Sequence, residues 1–172
     1  MSRYIFSEAE RLKRKYQTRD PFELLDALRV VVSMSNSFRR DGLKGFCTIL
    51  NQTKYVVINS KLADEEQRVV AGHECGHIVI HSDFLKLGAF KDHDVYQATG
   101  KTEREANFFA ADFLISDEEV LDMMSTCDAN FFSVAKGLSI PAPFFAFKLY
   151  SMVERGFSMR MPTGLNSTFL AR

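Results

Sequence analysis

Apolar and polar positions change their period several times along the 172 residues, and each change marks a predicted element. The first stretch carries helical signals. Ser7 with Glu10 has capping-box spacing and predicts a helix to about Tyr16. Asp20-Pro21 with Glu23 combines an N-cap aspartate, a proline at the first helical position and a glutamate at the third, predicting a second helix to about Leu28. The charge run Lys13-Arg14-Lys15 is expected on a solvated face. The pattern then shortens. Val30-Val31-Val32 is β-prone, and Phe46 to Leu50 and Tyr55 to Asn59, separated by the turn residues Asn51-Gln52-Thr53, predict a β-hairpin. Tyr55 to Asn59 is a candidate for an edge strand that pairs with an extended peptide, an interior position being the other reading.

Helical spacing returns in the second half. From Val69 to Ile80 every position outside the two histidines and the glutamate is apolar or small, which predicts a helix buried on most sides, starting near Asp64 or Glu65. Residues 82–100 are mixed but hold Phe84, Leu85, Phe90 and Tyr96, so a loop wrapped against the rest is expected. A helix follows over Thr102 to Leu114, and Ser116 with Glu119 opens a short one. Ala129 to Lys136, the break at Gly137 and the Ser139-Ile140-Pro141 start of a helix to about Arg155 resemble a helix-turn-helix pair. Its phenylalanines, Phe131, Phe132, Phe144, Phe145 and Phe147, suit the core of an α-hairpin; a docking surface for a protein is the alternative. From Gly156 onward, Pro162, Gly164, Asn166 and Ser167 suggest a loose tail. The expected fold class is α+β: one domain over residues 1–155, with a small sheet from the first half packed on helices, a helical C-terminal pair at about 129–155, and a tail at 156–172.

The buried helix carries the chemistry. It contains His73-Glu74-x-x-His77, and His81 follows one turn later, so three of the four histidines lie there. At about 1.5 Å and 100° per residue, His73 and His77 share a face one turn apart, and two imidazoles so placed can reach one zinc ion. Glu74, about 100° away, is close enough to act as a general base without taking a coordination position. His81 is about 12 Å along the axis from His73, too far to share a tetrahedral ion, and is expected to cap, pack or face a substrate. His93, in the mixed segment, is a candidate for stabilising an oxyanion.

The helix from Thr102 offers two carboxylates as a third ligand. Ala106, Phe109, Ala110, Phe113 and Leu114 form one apolar arc, with Glu103 and Asn107 inside it or at its edge. Glu105 falls with Lys101 and Asp112 on the opposite face, and its spacing from Thr102 suits a capping box. A carboxylate on the buried face needs a cation, so Glu103 is the preferred ligand. Asn107, one turn on, is placed to orient a ligand histidine by a hydrogen bond.

Charge and cysteine content narrow the partners. Lys plus Arg equals Asp plus Glu at 22 each, so no net field draws the chain to nucleic acid or an anionic membrane. Cys47, Cys75 and Cys127 are odd in number and widely spaced, which suggests neither a disulfide framework nor a zinc ribbon; Cys75 is expected in the core. With no apolar N-terminal run, the chain reads as cytoplasmic.

His73-Glu74-x-Gly76-His77-x-x-x-His81, followed by Glu103-x-Glu105-Ala106-Asn107-x-Phe109-Ala110-Ala111, resembles the ImmA/IrrE family of metallopeptidase-like proteins of mobile elements and prophages. The likeness extends over roughly residues 20 to 116. It implies a zincin-like fold, one Zn²⁺ per chain, His73, His77 and Glu103 as its ligands and Glu74 as the base. It also implies a zinc-dependent endopeptidase acting on a helix-turn-helix repressor encoded nearby. Ile115-Ser116 stands where the family usually has Met-Pro, and is expected to change a helix end only. Two alternatives stay open: a zinc-containing regulator that binds a repressor without cutting it, and DNA binding through the C-terminal pair, which net neutrality disfavours.

Overall fold

Local chemistry starts each element of the computed structural model, which describes residues 2–86, 100–126 and 129–159. The first helix, α1 (Ser2–Tyr16), begins ahead of the Ser7 signal. Its Lys13 is not solvated: it turns inward to the Asp112 backbone carbonyl (3.0 Å) and to Glu10, while Arg14 and Lys15 are exposed. Helix α2 (Pro21–Ala27) starts as predicted, the Asp20 carboxylate accepting from the backbone N–H of Phe22 (2.7 Å) and Glu23 (3.3 Å).

Strands β1 (Val30–Ser35), β2 (Gly45–Leu50) and β3 (Thr53–Asn59) form a sheet in the order β1-β3-β2. The hairpin turn holds Asn51 and Gln52 at φ 48° and 65°, the left-handed pair that matches strand twist. β1 joins β3 in parallel and β2 joins it antiparallel. Tyr55 to Asn59 therefore takes the interior position, and β1 and β2 are the outer strands among the described residues. The parallel pairing of β1 with β3 is non-local, and no alternation within β3 announces it.

Helix α3 (Asp64–Ile80) packs on β2 and β3, and α4 (Ser82–Lys86) follows it. Helix α5 (Lys101–Leu114) crosses α3 closely. A Cβ on Gly76 would lie 2.8 Å from the Ala106 Cα and 2.9 Å from its carbonyl oxygen, so glycine sets the distance between these helices. Gly72, one turn earlier, faces Ala110 and Leu114. The remaining helices are α6 (Asp117–Met124), α7 (Phe131–Gly137) and α8 (Ala142–Glu154). Ser116 and Glu119 complete the capping box of α6, and Ile115 ends α5 in extended conformation.

The polar face expected on α5 is absent. Residues Glu105 to Leu114 are buried without interruption, because α5 is packed by α3, α1 and α8 together. Asp112 meets Lys148 and Ser151 of α8, and Glu105 is 8% exposed. Nor does Thr102 cap the helix; Gly100 occupies the N-cap, at φ 131°. Phe144, Phe145 and Phe147 of α8 are buried, whereas Phe132 is exposed. Phe157 and Met159 fold back on the core, so the chain is packed three residues past Gly156. Cys127, the segment with His93 and the tail beyond Met159 lie outside the described residues. Among the described residues no helix is long and apolar enough to cross a membrane.

Candidate metal centre

Helical spacing on α3 and the close α3–α5 crossing bring three donor groups together. His73 Nε2 and His77 Nε2 are 3.0 Å apart. Glu103, in the first turn of α5, sets Oε2 3.1 Å from His73 Nε2 and Oε1 3.2 Å from His77 Nε2. Metal bonds of 2.0–2.1 Å in a tetrahedron place donors about 3.3 Å apart, so these spacings fit one ion. Among the described residues this is the group of histidine, cysteine and carboxylate side chains close enough to hold a metal, its donor atoms lying within 4.8 Å of one another.

Hydrogen bonding tests the fit. Asn107 Oδ1 lies 2.9 Å from His73 Nδ1. A carbonyl oxygen only accepts, so Nδ1 carries the proton and Nε2 turns a lone pair toward the Glu103 carboxylate. Lone pair against carboxylate in a buried site requires a positive charge between them, a metal ion or a proton. The titration shifts are those of the arrangement with a proton in that place. For Glu103, burial works to raise the carboxyl, but hydrogen bonds from His73 and His77 outweigh it and hold the group far below the usual carboxylate range. For His73, burial works to lower the imidazole, and Glu103, Glu74 and Asn107 together raise it. The nitrogen and oxygen donors, three in number, are a set that zinc accepts.

Glu74 is buried at 5% exposure, with a carboxylate oxygen next to Gly45 of the sheet. A Cβ on Gly45 of β2 would be 3.5 Å from Glu74 Oε1, 3.0 Å from the Val57 carbonyl and 2.6 Å from Val70 Cγ1. Glycine at this position lets the edge strand lie against the helix beside the carboxylate. Cys47 lies two residues along the same strand and on the same face; burial first, then the Glu74 charge, push its thiol well above its ordinary value. Neither Gly45 nor Cys47 carried a functional signal in the sequence; strand alternation from a glycine at the edge would have been the one clue. Cys75 is buried, with its thiol toward the Pro21 carbonyl at 3.5 Å.

The other candidates fall elsewhere. Glu105 is turned from the donors toward His81 (3.5 Å) and Lys101 (4.0 Å). His81 ends α3: its backbone N–H donates to the His77 carbonyl, and its side chain is buried against α5. Burial, with the neighbouring His77, lowers its pKa to about 4.

Comparison with known proteins gives two matches. The Peptidase_M78 family model, described as the IrrE N-terminal-like domain, matches residues 29–149. The chain is also similar to "Uncharacterized immunity region protein 2" of Bacillus phage phi105, with 32% identity over 126 residues, 71% of this chain and 75% of that protein.

Proposed function

Because the chain belongs to the Peptidase_M78 family, whose IrrE- and ImmA-like members carry a metallopeptidase-type domain, we propose that it is a zinc-dependent endopeptidase acting on a protein substrate. The observation that carries this reading is the convergence of His73, His77 and Glu103 with Glu74 buried beside them. His73, His77 and Glu103 would hold one zinc ion, with Asn107 fixing the His73 ring. When bound, zinc supplies Lewis acidity, which brings the pKa of a water toward neutrality and offsets negative charge on the scissile carbonyl.

The remaining work belongs to the chain's own groups. Glu74 accepts the proton of the attacking water and returns it to the leaving amine. The Cys47 thiol, held protonated, adds no competing charge on the sheet side of the carboxylate. An extended segment of substrate pairs with the edge of β2 that is unpaired among the described residues, its other edge being taken by β3, and so runs past Glu74. Residues 1–155 act as one unit in this scheme.

The phage immunity-region relative supports a regulatory setting and, with it, a helix-turn-helix repressor encoded nearby as the substrate, met in the cytoplasm. Incubating the purified protein with the repressor encoded beside its gene tests this. Shortening of the repressor that stops with a chelator and returns with zinc is expected. A repressor that is bound but stays full length with zinc present would replace the peptidase with a non-cutting regulator.

A further inference from the structure

Glu103 stands apart from the other two donors in how it is held. His73 and His77 are fixed within α3, but Glu103 sits in the first turn of α5, next to its N-terminus. Gly100 caps that end without a side-chain hydrogen bond. A helix terminus lacking such a cap frays readily, so something else must hold the turn that carries Glu103.

His81 does so. At the C-cap of α3 its backbone N–H donates to the His77 carbonyl at 2.9 Å, which ties it to the helix of the two histidine donors. Its Nε2 lies 3.2 Å from the Thr102 backbone carbonyl, the residue immediately before Glu103. That oxygen only accepts, so Nε2 carries the proton and donates to it. The same nitrogen is 3.5 Å from Glu105 Oε2, two residues after Glu103. One buried imidazole therefore holds the α5 backbone just before Glu103 and meets an α5 side chain just after it.

The geometry points to His81 as a positioning residue for Glu103: it joins the end of α3 to the first turn of α5 and so sets the distance between the third donor and the histidine pair. The inference rests on the metal site proposed above. Removing a group that orients a metal-binding side chain costs about 10- to 100-fold in metal affinity. The effect should appear in metal affinity and not in folding alone.

The test is zinc affinity, measured by competition with a chromophoric chelator on wild type, His81→Leu and His81→Gln, with thermal melts of the metal-free proteins alongside. Glutamine carries an amide N–H near the place of Nε2. His81→Leu should bind zinc at least 10-fold more weakly, and His81→Gln should recover most of that loss. In a Glu103→Ala background, where only the weaker affinity of the two histidines is left for the competition to read, His81→Leu should cost no further affinity, because the group it positions is gone. Equal affinity in wild type and His81→Leu, or the same loss with Glu103 absent, would overturn the assignment. If His81→Leu does not fold, His81→Gln against His81→Asn, whose amide is one methylene shorter, decides it: equal affinities would again overturn it. Wild type that binds no zinc would refute the metal site itself, a separate result.

Discussion

Glu74→Gln is expected to slow cleavage by about 10²- to 10⁴-fold, the range that a positioned general base supplies. Glutamine has the shape of glutamate, so it fills the same space beside Gly45. His73, His77 and Glu103 are untouched, and zinc content should equal that of wild type. What disappears is the capacity to take a proton, since an amide oxygen is a far weaker base than a carboxylate. Substrate binding should survive, so a complex of the variant with full-length repressor should accumulate where the wild type leaves fragments. A variant that cuts at near the wild-type rate would remove Glu74 from the reaction.

Lys148→Ala should destabilise the protein by about 3–5 kcal/mol, read from the midpoint of urea unfolding. Lys148 and Asp112 are both fully buried. The ammonium contacts Asp112 Oδ1 at 2.9 Å and Asp117 Oδ1 at 2.7 Å. Ser151 donates to the other Asp112 oxygen at 2.6 Å, and Arg155 reaches Asp117 with both terminal nitrogens while lying over the Phe6 ring. Two cations and two anions thus balance where α8 meets α5 and α1. Alanine leaves two carboxylates facing one guanidinium in a dry site, and the cost is that of an uncompensated charge. Replacing the pair together, Asp112→Leu with Lys148→Met, removes the charge and its partner and should stay within about 2 kcal/mol of wild type. A single Lys148→Ala as stable as wild type would mean that water reaches the cluster. The same network has an acid limit. Burial works to raise the Asp117 carboxyl, but Arg155 and Lys148 bring it from 3.8 to about 2. Its contribution is therefore complete above about pH 4 and is lost as the pH falls through about 2.

Spacing within one helix was legible in the sequence, and spacing between elements was not. His73, Glu74 and His77 lie where 100° per residue puts them, and Asp20, Pro21 and Ser116 start their helices because caps are local chemistry. The α+β class followed from the same local signals. Glu103 rather than Glu105 comes to the histidines, but the reason differs from the one the pattern offered. A helical wheel assumes one buried face, whereas α5 is enclosed by three helices, so Glu105 and Asp112 are buried with partners of their own: His81 and Lys148. These partners come from residues 24 and 36 positions away in the chain, beyond the reach of any window of periodicity. The edge strand was missed for a related reason. The pairing that makes β3 interior comes from β1, and the glycine that lets β2 approach Glu74 is recognised only once α3 lies against it.

Metal content per chain, by mass spectrometry on protein purified without chelator, tests the central claim most directly. Wild type and Glu105→Ala should each carry about one zinc, and Glu103→Ala should lose it. Folded wild type without metal, or a Glu103→Ala variant that keeps a full complement, would contradict the site built from His73, His77 and Glu103.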